Sequence, residues 1–216
     1  MSTERAVKTF HARRGRLTKT RSELLAEVVP QYLLPSTKQP LDLRAHFQSS
    51  EVTVDFGCGM GDSTIALLEQ GESVLAIDVH TPGICRIAQW ADEHANTNLS
   101  LVHGDGIPIL ESQIAPNSIT KFLVLFPDPW PKARHHKRRL VQVDFLNLVA
   151  RILEPSGRLV IATDIDSYAE HVLEVISESS SMQLISRDHV LPETKFRMRA
   201  LDAGRRISVF ELTPTT

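Results

Sequence analysis

The residue best placed for chemistry is a carboxylate between prolines: Asp128 in Leu125-Phe126-Pro127-Asp128-Pro129-Trp130-Pro131-Lys132. Three prolines fix φ and keep the segment extended and stiff, so Asp128 cannot lie in a helix. Trp130 offers a flat face on which a base could stack. A run of cations follows directly: Lys132, Arg134, Lys137, Arg138 and Arg139, with His135 and His136 among them. Guanidinium and ammonium groups at this density suit phosphates. The histidines lack metal-ligand spacing, so phosphate contact or a helix start is the better reading, and no metal is expected. The bland alternative for the proline segment is a rigid turn around a buried tryptophan. For the basic run it is a solvated helix face.

A second constellation lies upstream. Asp55-Phe56-Gly57-Cys58-Gly59-Met60-Gly61-Asp62 joins an apolar run to a helical one. Gly57, Gly59 and Gly61 let backbone pass close to a ligand, and the free N–H groups of the next helix face the same place. Asp78 follows about 20 residues later, where a carboxylate can accept hydrogen bonds from ribose hydroxyls. Asp105 follows the next apolar run and could meet an adenine edge. This set fits S-adenosylmethionine or a nicotinamide dinucleotide. The G-x-G-x-G spacing, and an acidic Asp55 that suits a cationic amino-acid ligand and repels a pyrophosphate, favour S-adenosylmethionine.

The elements that must position these residues are regular from Glu51 onward. Strands are expected at Val52–Phe56, Ser73–Val79, Leu99–His103, Ile119–Phe126 and Arg158–Thr163. Helices are expected over Asp62–Gln70, Gly83–Ala95, Lys137–Leu153 and Ser167–Ser177. Strand–helix alternation implies an α/β fold with a parallel sheet and helices on both faces. Two late strands, Met182–Ser186 and Arg206–Leu212, flank a long basic loop and could pair antiparallel. The expectation is a Rossmann-like, mostly parallel seven-stranded sheet with the last strand antiparallel, as in class I methyltransferases. In such sheets ligands sit beyond the carboxyl ends of the strands, near the topological switch. Residues 1–48 are expected to form a basic, partly mobile arm with a short helix near Ser22–Val29, and residues 49–216 the catalytic domain.

The proline–tryptophan–basic segment closely resembles the hallmark of the bacterial tRNA (guanine-N7-)-methyltransferase family. Val54–Gly61, Ala76–Gly83, Ile161–Asp164 and Thr194-Lys195-Phe196 are similar to that family too, so the resemblance spans about Val52 to Leu212. It implies methylation of guanine N7 at position 46 of tRNA. It also implies that Asp55, Asp78, Asp105 and Asp128 contact S-adenosylmethionine, with Asp128 catalytic. Lys132, Asp164, Thr194, Lys195, Phe196 and the adjoining Arg197 would contact substrate, and Arg134–Arg139 the RNA. The chain departs from the family pattern at Cys58, usually Phe; at Arg197, usually Glu; and at Ala200, near which the family has Gly.

The formal charge of −2 hides strong polarity, because Met1–Arg21 carries seven Lys/Arg against one Glu and Lys132–Arg139 carries five and no acid. Two basic segments on an acidic body suggest a localised polyanion site. Two cysteines are too few for a disulfide framework, and no apolar run is long enough for a bilayer. A cytoplasmic protein, monomeric or homodimeric, is expected, with tRNA as partner and no membrane. Competing functions are methylation of an exocyclic base amine, a non-catalytic RNA-binding relative and, more distantly, a nicotinamide oxidoreductase.

Overall fold

The computed structural model describes residues 9–10 and 18–215. Three short helices, α1 (Lys19–Glu27), α2 (Val29–Tyr32) and α3 (Leu43–Phe47), precede the sheet. The alternating core follows as β1 (Val52–Phe56), α4 (Asp62–Glu69), β2 (Ser73–Asp78), α5 (Thr81–Glu93), β3 (Leu99–His103), α6 (Ile107–Ser112) and β4 (Ile119–Leu125). A 3₁₀ turn at Ala133–Arg138 leads to α7 (Val143–Ile152), β5 (Leu153–Thr163), α8 (Asp166–Glu178), β6 (Met182–Ser186), α9 (Lys195–Asp202) and β7 (Ser208–Pro214).

The seven strands lie in the order β3-β2-β1-β4-β5-β7-β6. β1 through β5 pair in parallel, and β7 runs antiparallel to both β5 and β6. The expected mostly parallel sheet with an antiparallel last strand is what forms. The chain steps outward from β1 to β3, then returns to the other side of β1 as β4. That reversal splays the two connecting loops apart and opens a crevice beyond the carboxyl ends of β1 and β4.

The central strands are buried on both faces, which explains why apolar residues dominate them without strict alternation. Val54, Phe122, Val124 and Ile161 share one face with Phe145, Leu146 and Val149 of α7 and Tyr168 and Val172 of α8. Val74, Ala76, Leu123 and Val160 share the other with Leu67 and Leu68 of α4 and Ile84, Ile87 and Ala88 of α5. Each such large side chain contributes about 1.5–3 kcal/mol by leaving water, so the sheet is a stiff base for the loops at its edge.

Three expectations need correction. Parts of residues 18–48 pack onto the rest of the fold: Val29 and Leu43 are buried, Leu33 bridges to Leu101 of β3, and Leu41 bridges to Ile114. The part of the expected mobile arm at 1–8 and 11–17 lies outside the described residues. The expected helix over Lys137–Leu153 begins only at Val143, because Arg139 and Gln142 adopt extended ψ of 134° and 166°. The late basic loop contains α9, capped by Thr194. No helix among the described residues is long and apolar enough to cross a membrane.

The approach of α5 to the glycine turn is the tightest fit in the fold. A Cβ added at Gly83, in the first turn of α5, would sit 1.7 Å from the carbonyl oxygen of Gly59 and 2.8 Å from its carbon. Backbone cannot yield as a flexible side chain does. Gly83→Ala is therefore expected to destabilise the fold by about 1–3 kcal/mol, measured by urea unfolding. Wild-type stability in that variant would mean that the helix is free to move off the turn.

Candidate active site

The turn after β1 is built for close approach. Gly57, Gly59 and Gly61 have φ of 79°, 58° and 80°, a region where L side chains are strained. The carboxylate of Asp78, at the end of β2, fastens this turn: it accepts hydrogen bonds from the N–H of Gly59 at 2.6 Å and of His80 at 2.7 Å. A carboxylate has about four acceptor positions, so two remain for a ligand. Burial pushes the Asp78 carboxyl above the usual range, partly opposed by those backbone N–H bonds. From α5, Arg86 donates to the Met60 carbonyl at 2.5 Å and pairs with Asp62 at 2.7 Å.

Asp55 lies beneath the turn rather than in the cleft. It is 1% exposed, and one of its oxygens accepts the hydroxyls of Ser63 and Thr64, each at 2.6 Å. Its direct work is to hold the start of α4 against β1, and burial raises its pKa. Asp105 is exposed, and its side chain accepts the Ile107 N–H at 3.2 Å, at the start of α6. Neither residue lines the cleft, nor does Gly61, which packs under Ile87.

The cleft itself has a volume of about 470 Å³. Gly57, Gly59 and Asp78 line one side, Phe126, Pro127 and Asp128 another, and Thr194, Lys195 and Phe196 a third. The proline-flanked carboxylate and the glycine turn thus open onto one space. A larger, shallow groove of about 610 Å³ runs past α4 between Glu69 and Arg199. Its acids Asp62, Glu69 and Glu193 are matched by Arg86, Lys195 and Arg199, and neither Asp128 nor the glycine residues reach it.

The loop carrying Asp128 is strained. Phe126 and Trp130 have φ of 53° and 43° without being glycine. Such backbone costs of order 1–3 kcal/mol per residue and persists only where its surroundings enforce it. Trp130 does not offer a free face. It is 5% exposed, its indole N–H donates to the Thr9 carbonyl at 3.1 Å, the Arg138 guanidinium lies 4.9 Å over its ring, and His135 meets it edge-on. The stacking surface at the cleft is instead the pair Phe126 and Phe196, with centroids 6.4 Å apart and planes 20° from parallel. Phe196 is 53% exposed.

The basic run is sorted by the 3₁₀ turn, in which residues three apart eclipse. Arg134 and Lys137 are exposed, as is Lys132 before them. His135 and Arg138 both pack on Trp130. His136 and Arg139 face inward and meet at 3.1 Å. Arg139, expected to contact RNA, is 2% exposed and donates to the carbonyls of Pro129 and Ser167. It cannot reach a phosphate outside without leaving those partners.

Asp164 is engaged with Arg205 at 2.7 Å. Thr194 caps α9 by accepting the Arg197 N–H, and the Lys195 N–H donates to Asp62 at 3.2 Å. Arg197 is half-buried and does not line the cleft. Arg199, which does, escaped sequence reading. Its i+4 spacing from Lys195 would have found it once the loop was read as a helix. No cluster of three or more His, Cys, Asp or Glu able to hold a metal ion occurs among the described residues.

The family model Methyltransf_4 ("Putative methyltransferase") matches residues 49–208. A tRNA (guanine-N(7)-)-methyltransferase of Cronobacter sakazakii is 37% identical over 94% of this chain and 89% of its own length. That of Nitrosomonas europaea is 33% identical over the whole of both chains, and that of Streptomyces avermitilis 36% over 95% of this chain and 74% of its own. Among solved structures, the 16S rRNA methyltransferase KamB superposes with a TM-score of 0.57 at 16% identity, covering 85% of this chain and 98% of that one. The antibiotic-resistance methyltransferase Kmr gives 0.54 at 14%, covering 83% and 96%. These two share the fold, a class I methyltransferase sheet. By its matched family model and by identity above 30% along nearly its full length, the chain belongs to the tRNA (guanine-N(7)-)-methyltransferase family.

Proposed function

We propose that this protein transfers a methyl group from S-adenosylmethionine to N7 of a guanine in tRNA, at position 46 of the variable loop, in the cytoplasm. The observation that carries the reading is the single cleft that joins the glycine turn, Asp78, Asp128 and the Phe196 platform. The residues fit the cofactor. The space over Gly57 is open to at least 4 Å, so a ligand can lie directly on the backbone. Asp78 retains acceptor positions for ribose hydroxyls.

S-adenosylmethionine supplies an electrophilic sulfonium methyl. Guanine N7 presents an in-plane lone pair and has no proton to lose, so the protein needs little base catalysis. Alignment and exclusion of water are its main tasks. Phe196 and Phe126 offer the base a face, and Asp128 sets its edge. The Asp128 carboxylate either faces the positive charge that develops on the ring or accepts the N1–H and N2 amine hydrogens. Lys132, Arg134 and Lys137 hold the RNA backbone from outside the cleft. Arg139 drops out of that set because of its burial.

The reading is tested by transfer of labelled methyl to bulk tRNA, followed by nucleoside analysis. 7-Methylguanosine is expected, and a methylated exocyclic amine or no product overturns it. Asp128→Ala is expected to lower turnover at least ~100-fold while S-adenosylmethionine still binds by calorimetry. Near-normal turnover would remove Asp128 from the chemistry. Neutralising Lys132, Arg134 and Lys137 together is expected to flatten the dependence of log affinity on log salt by roughly 0.7–0.9 per lost phosphate contact. An unchanged slope would place the RNA elsewhere.

A further inference from the structure

The loop that carries Asp128 is poor in backbone donors. Pro127, Pro129 and Pro131 have no N–H, and two of its residues hold strained φ. Contacts from outside the loop therefore carry much of the work of fixing its shape. On the strand side, the Phe126 N–H donates to the Ala162 carbonyl of β5 at 2.8 Å. On the far side, the carbonyl of Pro129, the residue directly after Asp128, accepts Nε of Arg139 at 3.2 Å. The same guanidinium donates to the carbonyl of Ser167, in the first turn of α8, at 3.0 Å and meets Nε2 of His136 at 3.1 Å. Its plane lies 5.3 Å over the fully buried ring of Tyr168. None of these hydrogen-bonding partners is a carboxylate. A buried cation without such a partner is a costly way to fill space, and an apolar side chain would pack the position more cheaply. What an apolar chain cannot do is donate in two fixed directions at once, as a planar guanidinium does.

We propose that Arg139 is a positioning residue for the methyl transfer: by bridging Pro129 and Ser167 it clamps the Asp128 loop to α8 and sets where the carboxylate stands in the cleft. It acts through Pro129 and touches neither cofactor nor RNA. Neighbouring contacts make the clamp rigid. The Gln142 side chain donates to the carbonyls of His136 and Arg139, the Val141 N–H donates to the Tyr168 hydroxyl, and Nε2 of His171 lies 2.8 Å from the Val141 carbonyl. Burial pulls the Arg139 pKa down and pushes that of Tyr168 up to about 12, so the ring stays neutral at neutral pH.

This inference rests on the proposed methyl transfer for its kinetic readout, and a second readout is independent of activity. The chain has two tryptophans, so Trp90→Phe leaves Trp130, inside the clamped loop, as the sole reporter. In that background Arg139→Met keeps a long stem over Tyr168 and removes every donor, whereas Arg139→Lys keeps the charge and one donor group. For Arg139→Met, acrylamide quenching of Trp130 is expected to rise. Turnover is expected to fall about 100-fold, as a displaced catalytic group would require. The KM for tRNA and the salt slope of tRNA binding should stay within about two-fold of wild type. Arg139→Lys should recover part of the turnover. Unchanged quenching overturns the proposal. So does a flattened salt slope, which would make Arg139 a phosphate contact, or a lowered melting temperature with turnover intact, which would make it framework only. If the wild-type chain transfers no methyl group, the functional reading fails, and the quenching alone decides whether Arg139 holds the loop.

Discussion

Two backbone segments must approach one ligand from opposite sides of the crevice between β1 and β4, and ordinary chain conformation does not bring them there. The glycine turn meets this demand with three positive φ values at residues that tolerate them. The opposite loop meets it with positive φ at Phe126 and Trp130, which do not, and with prolines that cannot relax. The rest of the site follows from that difference. A turn of glycines is free to move and must be tied. A loop of strained, bulky residues springs away and must be clamped.

Both ties have the same design. In each case an arginine from the following segment donates to a carbonyl of the loop: Arg86 to Met60 in the glycine turn, Arg139 to Pro129 in the proline loop. In each case the loop is also anchored by a backbone N–H: Gly59 to the carboxylate of Asp78, and Phe126 to the carbonyl of Ala162. Packing closes the arrangement, through Gly83 against Gly59 on one side and Trp130 under Arg138 on the other. The stiff sheet therefore fixes not only the strand ends but the loop atoms several residues beyond them, which is the precision that an in-line displacement needs.

The fold was largely legible because its signals are local and periodic. The apolar run Val52–Phe56 forms β1 with the expected bounds, and the helices after β1, β2 and β5 fall within a few residues of expectation. What escaped was set by tertiary contact. Val29 and Leu43 look like ordinary apolar residues in a proline-punctuated stretch, and only their burial in the two core clusters shows that this stretch packs onto the sheet's layers. The candidate site was legible at Gly57, Gly59, Asp78, Asp128, Lys195 and Phe196, whose places follow from strand ends and motif spacing. Asp55 and Asp105 show where sequence reading stops. A carboxylate before or after a strand end gives no sign in sequence of the protein groups it also serves: Ser63 and Thr64 for Asp55, the start of α6 for Asp105.

The basic run shows why residue type alone cannot assign such roles. Its cations look equivalent in sequence, but the 3₁₀ turn gives them a period of three. Arg134 and Lys137 share the solvent face. Arg138 shares a face with His135 and covers Trp130, while Arg139 pairs with His136 toward the core. An exposed cation is worth most to a polyanion because it is solvated and able to adapt, whereas a buried guanidinium is worth most as a fixed, directional donor. One short segment thus supplies both. The exposed cations Arg134 and Lys137 stand on the same turn as Arg139, which is hydrogen-bonded to the loop that carries Asp128.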